Sequence, residues 1–118
     1  MLLNHLDLQV SNVQATAAFL ETFFGFALET SRTSPAIAVL RGAGDVVVVL
    51  QRKDAPIYPD GFHFGFLVDD VATVEATHAA LVAARADVSA IDVNARGTMI
   101  YCRFDSLLVE VSCRKKRY

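Results

Sequence analysis

The chain has 118 residues, 53% of them hydrophobic and 20% charged, with a formal net charge of −2. That length makes one domain whose core is large enough to fold without disulfide or structural metal. The near-neutral balance excludes the basic footprint of a nucleic-acid binder, and neither of the longest apolar runs, 23–28 and 46–50, approaches the roughly 18 residues of a membrane span.

Residues 3–10 alternate, with Leu6, Leu8 and Val10 on one face and His5, Asp7 and Gln9 on the other, which predicts a half-buried strand. Ser11 and Asn12 supply a helix cap. Val13, Ala17, Leu20 and Phe24 then form one helical stripe, which Gly25 ends. Extended segments follow at 27–30, 36–41 and 46–51, separated by turns at 31–35 and 42–45. The stretch 53–60, with Pro56 and Pro59, is a linker.

The programme then repeats. Residues 62–68 predict a strand, Asp69 and Asp70 a cap, and Val71, Val74, His78 and Leu81 a second helical stripe. Phe62, Phe64 and Phe66 are expected to pack against that helix. Extended segments at 88–93, 98–104 and 107–113 close the chain. His5 maps onto His63, Val10 onto Val68 and Val13 onto Val71 at a constant offset of 58 residues. The tail of the first module, from Asp45, maps onto the tail of the second, from Asp105. The expected fold is therefore α+β. One domain, 1–118, is built from tandem βαβββ modules, 1–52 and 61–118, whose curved mixed sheets flank a cleft.

The repeat singles out its own chemistry. A lone histidine in a strand is most often a polar filler, but two at matched positions of two modules suggest converging metal ligands. Glu110 lies on the more polar face of the last strand and completes a two-His-one-carboxylate set. Such a set leaves coordination positions open for substrate.

Three segments carry a family resemblance. Residues 5–13 with 18–26, residues 63–71 and residues 107–111 resemble the opening, the second-module start and the last strand of vicinal oxygen chelate proteins. That superfamily spans glyoxalase I, fosfomycin resistance enzymes, methylmalonyl-CoA epimerase, extradiol dioxygenases and metal-free bleomycin-binding proteins. The resemblance implies metal ligation by His5, His63 and Glu110. The divalent ion implied is iron, manganese, zinc or nickel. The repeat register places Leu50 at the fourth ligand position of glyoxalase I, where it cannot bind metal. Gln51, one residue on, is expected on the other side.

Other residues are candidates for the same site. Asp7, on the His5 face, is a candidate base or ligand-orienting group. Gly65 marks close approach of a ligand or another backbone and leaves room for substrate beside His63. Tyr101 and Arg103 share a strand face suited to an anionic or phenolic substrate. Leu50, with Val46 and Val48, is expected on an apolar pocket face. His78 fits a packed helix position, and the basic run 114–117 a solvated end.

Two functions follow. One is a metal-dependent enzyme chelating two adjacent oxygens of a small substrate: a lyase or isomerase, a thiol transferase or an extradiol-type dioxygenase. The other is a metal-free protein that binds or sequesters a small molecule, of the bleomycin-resistance type. Either is expected as a homodimer, with modules paired within a chain or exchanged between chains. Cys102 and Cys113 form no ligand-spaced pair and no secretory signal is present, so a cytoplasmic protein with reduced thiols is expected, with neither nucleic acid nor membrane as partner.

Overall fold

A computed structural model of the chain describes residues 1–30 and 34–115. The expected turn at 31–35 and the basic run at 114–117 therefore lie partly outside the described residues. The chain divides into two units, Met1–Tyr58 and Pro59–Tyr118.

In the first unit β1 (His5–Val10) leads into α1 (Val13–Phe24), followed by β2 (Ala27–Leu28), β3 (Ile37–Arg41) and β4 (Val47–Arg52). The alternation in β1 is real: Leu8 and Val10 are buried while His5, Asp7 and Gln9 are exposed. Asn12 caps α1, its Oδ1 accepting the Ala15 N–H at 3.0 Å. Gly25 ends the helix in the left-handed region, at φ 71°, where a side chain would be strained. Val13, Ala17 and Leu20 face inward as expected, joined by Thr16 and Phe19. Phe24 is only half-buried. The helix packs on β3 and β4, whose Ala38, Leu40, Val48 and Leu50 are all buried. The sheet order is β1-β4-β3-β2, with β1 parallel to β4 and the remaining pairs antiparallel.

The second unit repeats this plan. β5 (Phe64–Leu67) leads into α2 (Val71–Ala83), then β6 (Asp87–Val88), β7 (Asp92–Asn94), β8 (Gly97–Phe104) and β9 (Leu107–Arg114). The order is β5-β9-β8-β6, with β7 also on β8 and β5 parallel to β9. Asp70 caps α2, accepting from both the N–H and the hydroxyl of Thr73 at 2.7 Å. Val74 and Leu81 are buried. His78 donates from Nε2 to the Ser89 carbonyl at 3.1 Å, the packed role expected of it. No helix among the described residues is long and apolar enough to cross a membrane.

Three expectations need correction. The strand expected at 62–68 is shorter, so His63 stands just ahead of β5 rather than inside it. The helix lies chiefly on β6, β8 and β9. Phe64 and Phe66, opposite Val109 and Val111, are half-buried on the face expected of them, their rings edge-on with centroids 6.4 Å apart, but Phe62 is exposed. Val71, at the start of the expected stripe, is also exposed.

Candidate active site

Strand pairing sets the site's register. β5 and β9 run parallel with Gly65 opposite Glu110, and β8 places Tyr101 opposite Glu110 on the other side. Gly65 is needed there because a Cβ would collide with the Glu110 backbone carbonyl. The close approach anticipated from the sequence is thus one strand against another. β9 is an inner strand, so its outward residues have neighbours on both flanks.

The Glu110 carboxylate is 7% exposed and its two oxygens have different surroundings. Oε2 accepts the Ser112 hydroxyl at 2.7 Å and Nη2 of Arg114 at 3.0 Å. Oε1 faces Nε2 of His63 at 3.3 Å. Burial alone would raise the Glu110 pKa. The hydrogen bonds of Ser112 and Tyr101 and the charges of Arg114 and His63 outweigh it and hold the carboxyl below its ordinary value. Burial raises the Tyr101 phenol, and the Glu110 carboxylate adds to the effect. The Tyr101 ring stands edge-on to His63 with centroids 6.0 Å apart.

The His63 tautomer follows from its other contact. Nδ1 lies 2.8 Å from the Gly61 carbonyl. A carbonyl only accepts, so Nδ1 carries the proton. In the neutral ring Nε2 is then a bare lone pair facing an ionised oxygen, and two acceptors at 3.3 Å repel unless a proton or a cation lies between them. Two ligands at about 2.0–2.2 Å from one ion, on adjacent vertices, lie roughly 3.0–3.4 Å apart. The pair therefore suits a divalent ion, with the Gly61 contact fixing the imidazole as metal sites require. Among the described residues, neither unit by itself gathers three or more His, Cys, Asp or Glu side chains in metal-binding geometry.

A cavity of about 240 Å³ opens at this pair. His63, Glu110 and Arg114 form its polar side, and Phe64, Phe66 and Leu67 its apolar side. A second cavity, of about 370 Å³, lies further along the same sheet face against Tyr101, Arg103, Ser89 and Leu108. Tyr101 thus joins the His63–Glu110 cluster, whereas the exposed Arg103 belongs to the neighbouring cavity. Burial pushes the Cys102 thiol up to about 11, which leaves it inert.

In the first unit His5 opens β1 and is exposed. Asp7 accepts from Gln51 Nε2 with both carboxylate oxygens, at 3.0 and 2.9 Å. Gln51 therefore shares the His5–Asp7 face, contrary to expectation. The cause is register. Asp7 pairs with Val49 just as Gly65 pairs with Glu110, so Val49 is the structural counterpart of Glu110. Leu50 points the other way and is completely buried among the residues under α1. It belongs to the core rather than to a substrate pocket.

Three participants escaped the sequence reading: Ser112, Arg114 and Gly61. The period-two spacing of 110, 112 and 114 along β9 was the available signal for the first two. For Arg114 the basic run 114–117 instead suggests a solvated end. Nothing local marked the Gly61 carbonyl.

With this geometry in view, the profile of the Glyoxalase/Bleomycin resistance protein/Dioxygenase superfamily matches residues 2–105, and the chain belongs to that superfamily. No curated protein matches it significantly. Among solved structures, a possible glyoxalase from Bacillus cereus is 26% identical, with a TM-score of 0.84 over 96% of this chain and 99% of that one. The fosfomycin resistance protein FosX from Listeria monocytogenes is 22% identical, with a TM-score of 0.80 over 96% of this chain and 93% of that one. Lactoylglutathione lyase from Agrobacterium tumefaciens shares the fold at 18% identity, with a TM-score of 0.74 over 94% and 92%. A variant of FosX was solved with Mn(II) and 1S,2S-dihydroxypropylphosphonic acid.

Proposed function

We propose that the chain is a metal-dependent vicinal oxygen chelate enzyme acting on a small substrate with two adjacent oxygens. The observation that carries this reading is the His63 Nε2 to Glu110 Oε1 approach of 3.3 Å, with the Nδ1 proton committed to Gly61. The proposed ligands are His63 and Glu110, with His5 proposed as the third. Mn(II) in the FosX neighbour favours manganese over iron, zinc or nickel.

When bound, the ion supplies Lewis-acid polarisation of the substrate oxygens. The chain's own groups do the rest. The Gly61 carbonyl keeps the proton on Nδ1 and aims Nε2. Tyr101, its O–H hydrogen-bonded to Glu110, offers its phenol oxygen as an acceptor to a substrate hydroxyl. Phe64, Phe66 and Leu67 keep water from the apolar side of the substrate. Arg103 holds an anionic or phenolic end in the adjoining cavity. Asp7, oriented by Gln51, is the candidate base that takes a proton from substrate. Lyase or isomerase chemistry, thiol addition and ring-cleaving oxygenation all begin from such a chelate. A cytoplasmic homodimer belongs to the same proposal, and light scattering tests the dimer.

Metal analysis of protein purified without chelator tests the reading. Stoichiometric divalent metal, lost in His63→Ala, is the expected result. Substoichiometric metal, unchanged after re-addition and in both His5→Ala and His63→Ala, overturns it in favour of a metal-free small-molecule binder.

A further inference from the structure

The Glu110 carboxylate is held by its own strand through one oxygen. Both hydrogen bonds from its own strand, the Ser112 hydroxyl at 2.7 Å and Arg114 Nη2 at 3.0 Å, converge on Oε2. Oε1 alone turns toward His63. Residues 110, 112 and 114 are successive side chains on one face of β9, so the strand itself spaces the three groups. Ser112 is completely buried and the Arg114 side chain is 16% exposed, so water does not compete freely for these contacts.

Arg114 keeps this position at a cost. Its Nε is buried with no hydrogen-bond partner among the described residues, an arrangement that a freely chosen rotamer avoids. The contact with Oε2 holds the guanidinium there. A carboxylate with both oxygens open can bind an ion through either or both of them. One with a hydroxyl and a guanidinium fixed on the same oxygen offers only the other, in a set direction.

We propose that Ser112 and Arg114 are positioning residues that occupy Oε2 and make Glu110 a one-oxygen metal ligand presenting Oε1 beside His63 Nε2, an inference that rests on the metal-binding reading of that pair. A single-oxygen carboxylate leaves one more coordination position for the substrate's second oxygen. Without the clamp the carboxylate swings to two-oxygen binding, closes that position and surrenders the fixed direction of Oε1.

Titration of full-length protein with Mn(II), in competition with a chromophoric chelator, tests the proposal beside the absorption spectrum of the Co(II)-loaded protein. Ser112→Ala is expected to weaken metal binding about tenfold, and Ser112→Ala with Arg114→Met about a hundredfold, the range found when supporting contacts of metal ligands are removed. The Co(II) band should weaken in the double variant, because its intensity falls as coordination number rises. Arg114→Lys keeps the charge but not the planar guanidinium that reaches Oε2, and should retain affinity only in part. Equal affinities and spectra in wild type and Ser112→Ala overturn the clamp while leaving the metal site standing. Wild-type protein that binds neither Mn(II) nor Co(II) overturns the metal site and the clamp with it. Circular dichroism monitors folding, and Ser112→Ala alone carries the test if Arg114→Met unfolds.

Discussion

In both units the first strand runs parallel to the last, β1 beside β4 and β5 beside β9, and in both a carboxylate lies on the face away from the helix. The first unit carries it on its edge strand, as Asp7, where it accepts the Gln51 amide from β4 and stays exposed. The second carries it on its inner strand, as Glu110, flanked by β5 and β8. There it gathers Ser112 and Arg114 from its own strand, His63 from ahead of β5 and Tyr101 from β8, and it is buried. One scaffold thus yields a solvated amide–carboxylate pair or a buried charged cluster, according to which strand bears the acid. The positions that face these carboxylates are reciprocal: Val49 opposite Asp7 and Gly65 opposite Glu110.

Breaking that reciprocity should produce the largest effect. Gly65→Val drives a branched side chain into the Glu110 backbone and should cost at least about 4 kcal/mol, the scale reserved for core overpacking and severed networks. Asp7→Val, at the matching site of the first unit, should change stability by no more than about 1 kcal/mol, because its side chain points to solvent. Urea unfolding of the two variants makes the comparison directly. Equal costs would show that the two sheets are constrained alike at this level.

Leu50 and Val49 sharpen the register. Leu50→Ala should cost about 3 kcal/mol, as large-to-small changes in a sealed core do, without altering metal affinity. Val49→Ala, on the half-buried opposite face, should cost about 1 kcal/mol. The reverse order would restore the register read from sequence.

Much of this architecture was legible beforehand for a physical reason. Alternation in β1, the two helix caps and the offset linking His5 to His63 are local or periodic signals, and each depends on a few neighbouring side chains. Glu110 could be named because it sits at a strand position whose facing is set by period two, and His63, just ahead of β5, because the offset of the repeat ties it to His5. What failed was pairing. The tail alignment runs from Asp45 to Asp105, but the ladder aligns Val49 with Glu110, one residue further. A one-residue slip exchanges the two faces of a strand. It therefore moved Leu50 from pocket to core and brought Gln51 to Asp7. Arg114 was misread for a similar reason. A charge near a chain end is usually solvated, and only the ladder reveals that this one continues the face of Glu110.

The electrostatic side of the comparison appears in acid. Glu110 is held below the ordinary glutamate value of 4.5, so its contribution is fully present above that value. It is lost as pH falls through the lower pKa of the folded protein. In chelator-treated protein, Glu110→Gln should be less stable than wild type at pH 7 by about 2 kcal/mol, the scale of hydrogen bonds to a charged group. The gap should close on acidification. Thermal melts across pH 3–7 would read it, and a gap that persists at the acid end would assign the loss to packing instead of charge.

The smallest difference lies at the helix starts. Asn12 and Asp70 occupy equivalent caps, each accepting the backbone N–H three residues on, but only Asp70 titrates. Its pKa is lowered first by the Thr73 hydroxyl and then by the Thr73 N–H. Its capping strength is therefore complete above the ordinary aspartate value of 3.8 and fades as the carboxyl protonates below it. Asn12→Ala should cost about 1 kcal/mol at any pH, while the penalty of Asp70→Ala should shrink toward pH 3. Melting curves of the two variants at pH 7 and pH 3 separate the caps. If the Asp70→Ala penalty were the same at both pH values, the neutral acid would cap as well as the anion, and the second helix would owe nothing to charge at its N-terminus.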